Sequence, residues 1–460
     1  MATIDPPRPG SDPAGTTTAT ATAAGTDANW PVPGRSTNLV LLCCWVAILS
    51  EGYDVGVFGA VLPALLEHPE WALTKTEAGA LGSYALFGML IGAMCIGTLS
   101  DLIGRKKMLL LSMLIFTSTQ IGVALAPSPE VFGLFRFLGG LGMGGIIPVA
   151  AALTIEYSRP RRRSLNYGLM YSGYSLGIVV AALAAYFFLA DLGWRWVIGF
   201  AAFPIVLIPV LAALLPESLE YLTGKGKTDR AERLASKLGV QPYRTDDWAP
   251  PITDESGKVG WRQVLASMFR GRYALATICF WISLFCGLLL VYGLNTWLPQ
   301  LMKSAGYQLG SSLLFLLVFS LASAIGGVFI GAAADKYGKK VILVVFYALG
   351  SAGILALMFP ASTFILYVFV ALAGIGTIST SLVLTGWVAD YYPPHARATA
   401  TGWALSFARI GAIVGPVMGG IIGDAQLPFQ VNFVIFAAIG LVAAITIALI
   451  PKARPAELAA

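Results

Sequence analysis

The sequence predicts an all-α protein that crosses a membrane twelve times, as two halves of six helices each. Three observations predict this architecture: an apolar composition, twelve separate apolar runs, and a loop motif that occurs once in each half. Of the 460 residues, 57% are hydrophobic and only 12% are charged, whereas soluble domains carry roughly 25% charged residues. A chain with so few charges cannot cover a soluble surface, so we expect a polytopic membrane protein.

The apolar runs set the number of spans, because a helix needs about 20 mostly apolar residues to cross a bilayer. Twelve segments meet this requirement: 39–66, 77–99, 108–126, 131–157, 165–190, 194–215, 273–299, 310–334, 341–360, 362–391, 397–423 and 428–450. The long polar segment 216–272 splits them six and six and is predicted to be a cytoplasmic linker rather than a folded soluble domain. We therefore expect six-helix bundles at 37–215 and 273–450, with a disordered tail at 1–36 and a short tail at 451–460.

The distribution of Lys and Arg predicts the orientation. With both termini in the cytoplasm, 25 of the 30 basic residues lie on the cytoplasmic side and only Lys75, Arg195 and Lys303 lie outside. The positive-inside rule therefore places both termini in the cytoplasm, as in a multi-pass protein of the inner (plasma) membrane. The net charge of +6 comes from short loops between apolar runs, so it does not indicate nucleic-acid binding. The two remaining cations, Arg136 and Arg409, lie within spans.

A loop motif recurs at an offset of 234 residues. Its two copies read Gly97-Thr-Leu-Ser-Asp101-Leu-Ile-Gly104-Arg105-Lys106 and Gly331-Ala-Ala-Ala-Asp335-Lys-Tyr-Gly338-Lys339-Lys340. The same offset relates Glu156 to Asp390 and Arg163 to Arg397. Two parallel halves of six spans are an arrangement of transporters, with the binding site at the interface between the halves.

We expect the repeated charges to form a gate on the cytoplasmic face. The glycine of each loop permits a tight reversal with a positive φ, and each acid can accept from the next helix's amides or pair with a base across the bundle. Such a network would hold this face closed while the site opens outward. The alternative is that the basic loops only set the orientation. The predicted gate residues are Asp101, Arg105, Glu156, Arg163, Asp335, Lys339, Asp390 and Arg397.

Two acids, Glu51 and Asp54, lie in the middle of the first span. A carboxylate at the bilayer centre costs about 2.5–3.5 kcal/mol on insertion scales, so such residues are functional candidates. At a separation of three residues they share one helix face. Gly52, Gly56 and Gly59 allow a neighbouring helix or a ligand to come close. The alternative is an inert polar pair that faces another helix.

The loop motifs resemble the signature of the major facilitator superfamily, and the resemblance covers all twelve spans. The loop from Gly97 to Lys106 is similar to the hallmark loop of that superfamily, although Leu102 stands where an arginine is usual. Arg136-x-x-x-Gly140-x-Gly142-x-Gly144 in the fourth span resembles its arginine–glycine motif, which is associated with proton coupling, and Pro216-Glu217-Ser218 is another shared signature. The resemblance implies the major facilitator fold.

The first span is similar to that of the aromatic acid:proton symporters, which carry an acid-Gly-aromatic-Asp motif there. In this chain the motif reads Glu51-Gly52-Tyr53-Asp54, with Glu where the family usually has Asp. The resemblance implies uptake, with protons, of an aromatic carboxylate such as benzoate or a hydroxybenzoate. It also carries the family's functional arginine and acid of the fourth span onto Arg136 and Glu156, and its two arginines of the eleventh span onto Arg397 and Arg409.

The charged groups suggest a division of roles. Arg409 lies about 18 Å along its helix from Arg397, near mid-bilayer, and its planar fork suits the substrate carboxylate; the alternative is a permanent pair with Glu51 or Asp54. Asp54 is the predicted proton carrier, and Glu51 is a second carrier or a substrate contact. Arg136 would tune Asp54 or, alternatively, reach the outer interface. The other predicted substrate contacts are Tyr53, Tyr292, Asn295, Trp297, Trp387 and Trp403.

Other functions remain as alternatives. The runner-up is a proton-coupled exporter of a drug or another organic metabolite; the run Gly411 to Gly420 resembles an antiporter motif, but that motif belongs in the fifth span. A receptor that binds without transport is disfavoured because no loop offers a signalling domain. An enzyme is not expected, since no nucleophile elbow, phosphate loop or metal cluster occurs in the sequence. We expect no cofactor or metal, and a protein that works as a monomer with the substrate, protons and the bilayer as partners.

Overall fold

A computed structural model describes residues 34–159, 162–238, 268–392, 394–425 and 427–451. In this part of the chain, twelve helical spans are long and apolar enough to cross a membrane, which confirms the predicted all-α architecture. The predicted tails lie mostly outside the described residues, and so does the middle of the predicted linker, 239–267.

The helix bounds follow the apolar runs, and several helices extend beyond them. In the first half, spans 1 to 6 are Gly34–Leu66, Lys75–Ile103, Arg105–Ala124, the pair Pro129–Met143 and Ile146–Glu156, Arg163–Leu192, and Trp194–Gly199 with the 3-10 segment Phe200–Leu207 and Ile208–Leu214. Two short helices follow, Leu219–Gly224 and Thr228–Leu238. In the second half, spans 7 to 12 are Arg272–Ser304, Leu309–Tyr337, Lys339–Ala356, Thr363–Gly374 with the π-helical turn Ile375–Ser379 and Thr380–Tyr391, Pro394–Asp424, and Gln430–Leu449.

Local sequence explains where the helices begin and turn. Span 2 starts at a capping box, in which the Thr74 hydroxyl accepts from the Glu77 amide and the Glu77 carboxylate accepts from the Thr74 amide. The two repeated loops reverse at Gly104 and Gly338, whose φ angles are +119° and +94°. Only glycine adopts such angles readily. The reversal predicted from the repeat is therefore present in both halves.

The loops define two faces of the molecule. The basic face holds the helix ends at Ile103, Arg105, Glu156, Arg163, Tyr337, Lys339, Tyr391 and Pro394, and the opposite face holds those at Leu66, Lys75, Ala124, Pro129, Ser304, Leu309, Asp424 and Gln430. The helices cross between these faces in alternating directions. Each span therefore has one end at the basic face and one at the opposite face.

The two halves are in close contact near the opposite face. A Cβ on Gly59 of span 1 would lie 1.9 Å from the carbonyl oxygen of Asn295 on span 7, and one on Gly79 of span 2 would lie 2.5 Å from that of Pro416 on span 11. The Ser83 hydroxyl donates to a carbonyl of span 11 at 2.6 Å. These backbones can approach so closely because no side chain intervenes.

Polar contacts complete the closure of this face. The Asp424 carboxylate at the end of span 11 accepts from the backbone amides of Lys75, at 3.0 Å, and Thr76, at 2.8 Å, in the first turn of span 2. An ion pair joins Lys303 of the second half to Glu67 of the first. Since both contacts cross between the halves, the opposite face is closed.

At the basic face, the ends of spans 2, 10 and 11 do not pack against the other half in this way. No described heavy atom other than neighbouring backbone lies within 4 Å of the position that a Cβ would take on Gly97 of span 2, Gly386 of span 10 or Gly402 of span 11. The molecule is therefore open towards the basic face and closed at the opposite one.

Candidate functional site

A cavity of about 520 Å³ lies between the two halves. Its walls come from spans 2, 4 and 5 of the first half and spans 7, 10 and 11 of the second. Every lining residue sits at the middle of its span or in the part nearer the basic face: Leu86 to Met94 on span 2, for example, and Leu405 to Ala412 on span 11. The cavity therefore opens to the basic face, and we call it the central cavity.

One wall of the central cavity is a ladder of tyrosines on span 5. Tyr167, Tyr171 and Tyr174 follow one another at helical spacing, so their rings share one face of the helix. Successive rings are stacked at 22°, with centroids 6.1 Å and 5.8 Å apart. Leu288 and Val291 of span 7 also line the cavity. Flat rings beside aliphatic side chains make a surface that suits an aromatic ring.

Arg409 supplies the positive charge of the central cavity. It lines the wall from span 11 and is partly buried. Among the described residues, no Asp or Glu side chain lies within ion-pair distance of it, although its charge is near enough to act on the Glu51 carboxylate. A guanidinium without a direct acid partner in a mostly apolar cavity is suited to an anionic ligand.

Glu51 lies behind the lining of the central cavity. Its side chain is fully buried, and within the described chain neither carboxylate oxygen has a hydrogen-bond partner. Polar groups lie nearby, since the phenols of Tyr171, Tyr174 and Tyr292 are close enough for the charge of Glu51 to act on them. Gly52 permits this packing, since a Cβ there would lie 2.1 Å from the carbonyl oxygen of Tyr174. Burying an ionised carboxylate without a hydrogen-bond partner is costly.

Asp54 belongs to a buried ion pair with Arg136 of span 4. Its Oδ1 accepts from Arg136 Nη1 at 2.7 Å and from Gln120 Nε2 at 2.8 Å. The Arg136 side chain is 5% exposed and stacks over Phe58, with 4.8 Å from its Cζ to the ring centroid. The alternative that Arg136 reaches the outer interface is therefore wrong for this structure. Gln120 was not predicted as part of the site; its signal in the sequence is a lone amide within an apolar run.

A small cavity lies beside the ion pair of Asp54 and Arg136, next to the central cavity. Its volume is about 10 Å³, which is near the lower limit for one water molecule. Asp54, Arg136 and Thr296 line it, and Leu86 and Tyr292 line both this cavity and the central one. Asp54 is thus separated from the central cavity by the Tyr292 ring.

Five of the predicted substrate contacts do not line the central cavity. Tyr53 donates to a backbone carbonyl of span 6, Asn295 to one of span 7 and Trp297 to one of span 11. Trp387 and Trp403 pack against aromatic side chains of span 7. Of the predicted set, Arg409 and Tyr292 line the cavity, while a direct substrate contact for the other five stays a prediction.

The predicted gate charges of the first half form a cluster. Arg105 Nη1 donates to Glu156 Oε2 at 2.9 Å and to Glu220 Oε2 at 2.8 Å. Glu217 accepts from the Lys106 amide at 2.9 Å and so caps span 3. The segment after span 6, which carries both of these additional glutamates, therefore binds the repeated loop of its own half.

The second half has a simpler arrangement, an ion pair of Lys339 with Asp390. Asp101, Asp335 and Arg397 are exposed on the basic face, and Arg163 is partly buried at the start of span 5. The ion pairs described for Arg105 and Lys339 lie within one half each. Since the basic face is open, a latch between the halves stays a prediction.

Comparisons with known proteins agree with this architecture. The family model described as Major Facilitator Superfamily matches residues 44–363 and 311–459. The benzoate transport protein of Acinetobacter baylyi is 33% identical over 90% of this chain and 90% of its own length. The gentisate transporter of Corynebacterium glutamicum is 35% identical over 91% and 88%, and the 4-hydroxybenzoate transporter PcaK of Acinetobacter baylyi is 30% identical over 84% and 84%.

The fold also matches solved structures. A partially occluded inward-open conformation of the xylose transporter XylE from E. coli superposes with a TM-score of 0.72 at 18% identity, covering 90% of this chain and 97% of that one. A D-xylose-proton symporter gives a TM-score of 0.70 at 16% identity, with 90% and 98% covered. At such identities the match concerns the fold alone.

Proposed function

Because the chain belongs to the major facilitator superfamily and, within it, to the family of benzoate and 4-hydroxybenzoate type transporters, we propose that it takes up an aromatic carboxylate together with protons. It is a multi-pass membrane protein and a transporter rather than an enzyme. The basic face is cytoplasmic in this proposal, by the positive-inside rule. The structure then represents the inward-open state of an alternating-access cycle. The central cavity is built from one chain, which is compatible with a functional monomer.

The observation that carries the proposal is Arg409, a cation on the cavity wall with no acid in ion-pair distance among the described residues. A substrate carboxylate would pair with its guanidinium, which is the geometry that Arg favours. The substrate ring would then lie along the tyrosine ladder of span 5. Benzoate and hydroxybenzoates combine these two parts, a carboxylate and one aromatic ring.

Coupling to protons follows from the position of Glu51. Burial favours the protonated form of Glu51, and while the cavity is empty the positive charge of Arg409 opposes this effect. A bound substrate carboxylate neutralises Arg409, and the buried Glu51 is then more stable with a proton. Loading of substrate and loading of a proton therefore favour one another. When the substrate leaves, Arg409 again acts on Glu51 and favours release of the proton.

The pair of Asp54 and Arg136 supplies a second proton site. In the present state Asp54 is held in its charged form by Arg136 and Gln120. We assign this state to the stage after proton release. Movement of span 4 away from span 1 would remove Arg136 and leave a buried carboxylate that binds a proton. The small cavity beside Tyr292 offers a place for the water that would carry it.

The test uses purified protein in proteoliposomes with labelled benzoate and 4-hydroxybenzoate. We expect accumulation inside vesicles whose lumen is more alkaline than the medium, and collapse of the gradient to end it. Competition by gentisate, protocatechuate and an aliphatic acid measures the substrate class. Extrusion driven by the gradient would show the exporter instead, and uptake independent of the gradient would contradict proton coupling.

A further inference from the structure

A second cavity, of about 250 Å³, lies at the opposite face, and we call it the outer pocket. Lys75 of span 2 lines one side of it, while Trp297 and Gln300 of span 7 and Asn432 of span 12 line the others. No described residue lines both this pocket and the central cavity. Leu427 in its rim is exposed, so the pocket opens to the surface. Its volume is slightly below the roughly 300–1,000 Å³ of pockets for drug-sized ligands, which suits a single ring.

The outer pocket contains buried polar atoms that lack partners. Asn432 is only 4% exposed, and within the described chain its Oδ1 has no hydrogen-bond partner. The same holds for Oε1 of Gln300. Buried acceptors without a donor are unfavourable and rare in native proteins. Both amides belong to residues that line the pocket, so the hydroxyl group of a ligand could donate to one of their oxygens.

The ammonium group of Lys75 has capacity for an anion. Its Nζ donates to the carbonyl oxygen of Gly423 at 3.0 Å, and among the described residues no carboxylate lies within ion-pair distance of it. The nearby Asp424 carboxylate is engaged by the backbone amides of Lys75 and Thr76. Two of the three donor positions of the ammonium group therefore remain for a ligand.

An aromatic surface completes the pocket. The Trp297 indole is fixed by a hydrogen bond from its Nε1 to the Pro416 carbonyl oxygen at 2.7 Å, and Trp297, which is 2% exposed, is a lining residue of the pocket together with Phe429. Gly419 makes room for this ring, because a Cβ there would lie 2.4 Å from the indole. Trp297 therefore borders the outer pocket rather than the central cavity.

We propose that the outer pocket is a second binding site for a hydroxylated aromatic carboxylate. The carboxylate pairs with Lys75, the ring lies against Trp297 and Phe429, and the ring hydroxyl donates to the free amide oxygen of Asn432. That the ligand arrives from outside the cell rests on the proposed function, whereas binding to the pocket does not.

Occupancy of the outer pocket controls the conformational cycle. Lys75 belongs to the first half and the other polar groups to the second, so the site is complete only while the opposite face is closed. A ligand that binds one state better than another shifts the equilibrium towards that state. External ligand at high concentration therefore holds the protein inward-open and slows its return. Uptake rises with substrate concentration and then falls.

Calorimetric titration of the full chain in nanodiscs with 4-hydroxybenzoate tests the site. We expect two binding events in the wild type. Lys75→Gln should weaken one of them roughly ten- to hundred-fold, as for loss of a charge-assisted contact. Asn432→Leu should abolish the same event. Lys75→Arg retains the charge and should retain the event. Benzoate, which lacks the hydroxyl, should bind this site more weakly than 4-hydroxybenzoate does.

The transport assay distinguishes failure of this inference from failure of the proposed function. Wild type should show inhibition of uptake at high external 4-hydroxybenzoate, and Lys75→Gln and Asn432→Leu should show simple saturation with an unchanged KM. If the titrations of both variants match the wild type, the proposal that the outer pocket binds the ligand is overturned, even where uptake is normal. Binding that is lost in both variants, in a protein that transports no aromatic acid, would leave the pocket standing and reject the proposed transport.

Discussion

Replacing Asp424 with alanine should shift the protein towards the state that is open at the opposite face. Asp424 belongs to span 11 of the second half, yet it accepts from the amides of Lys75 and Thr76 at the start of span 2 in the first half. It therefore caps a helix of the other half. Loss of a side-chain cap costs about 0.5–2 kcal/mol, and the favourable charge at a helix N-terminus adds about 0.3–1 kcal/mol. Since Asp424 is exposed, we expect a total of about 1.5 kcal/mol, or roughly a tenfold change in the ratio of the two states.

Distances between spin labels measure this ratio. Gly97 of span 2 and Gly386 of span 10 continue the cavity-lining faces of the two halves towards the basic face, and no described heavy atom beyond neighbouring backbone would crowd a Cβ at either position. Cysteines introduced there, with the native cysteines replaced, should show a larger short-distance population in Asp424→Ala. Thr74→Ala is the matched control, because Thr74 caps the same helix from within its own half. An unchanged distribution in Asp424→Ala, or an equal shift in Thr74→Ala, would refute the reasoning.

Substitutions at three further residues test the site and the packing around it. Asp54→Asn should abolish gradient-driven accumulation but leave exchange in a counterflow assay, and full uphill transport by this variant would reject its role in coupling. Arg409→Ala should remove carboxylate binding in an equilibrium titration, and Arg409→Lys should weaken it roughly tenfold because the charge remains but the planar fork is lost; unchanged affinities would contradict the assignment. Gly59→Ala places a Cβ 1.9 Å from the Asn295 carbonyl oxygen and should destabilise the protein by about 1–3 kcal/mol in thermal unfolding, whereas Gly97→Ala should have no such effect.

The spans were predictable because crossing a bilayer imposes a length on each apolar run, but their ends were not. The run 77–99 becomes the helix Lys75–Ile103, since a capping box at Thr74 starts it and the positive φ of Gly104 ends it. Such signals extend a helix beyond its apolar run into polar sequence, where hydropathy cannot locate the end of the helix. The helix ends therefore depend on local hydrogen bonds more than on hydropathy.

Breaks inside spans were missed for a related reason. The predicted span 131–157 is two helices, which meet at Gly144 and Gly145. A Cβ on Gly144 would lie 2.3 Å from the carbonyl oxygen of Met89 on span 2. The glycines of this motif permit one helix to pack closely on another, and the bend accompanies that packing. A single sequence shows the glycines but not the helix that they face.

The charged part of the site was more predictable than its aromatic part. A buried arginine needs an acid within reach, so Arg136, the one charge in the middle of its apolar run, was expected to act on one of the two acids of span 1, and Asp54 is that partner. Aromatic identity carries no such constraint, since a ring packs equally well towards lipid, a neighbouring helix or a cavity. Tyr167, Tyr171 and Tyr174 were not among the predicted contacts, although their helical spacing puts them on one face, and that face lines the central cavity.

The two arginines within spans differ in burial and in their acid partners, and the roles that we propose for them follow from this difference. Arg136 is nearly fully buried and has its acid, Asp54, at 2.7 Å. Arg409 faces the central cavity, and Glu51, the acid on which its charge acts, is not in contact with it. The low dielectric around Arg136 makes that cation unfavourable without a counter-charge, and Asp54 supplies one. Arg409 lies on the wall of an open cavity, so its guanidinium remains able to bind an anion from solution. In the proposed mechanism, an anion that enters the cavity pairs with Arg409 and reduces the effect of its positive charge on Glu51. Under this proposal, binding of a carboxylate and uptake of a proton both depend on the charge of Arg409.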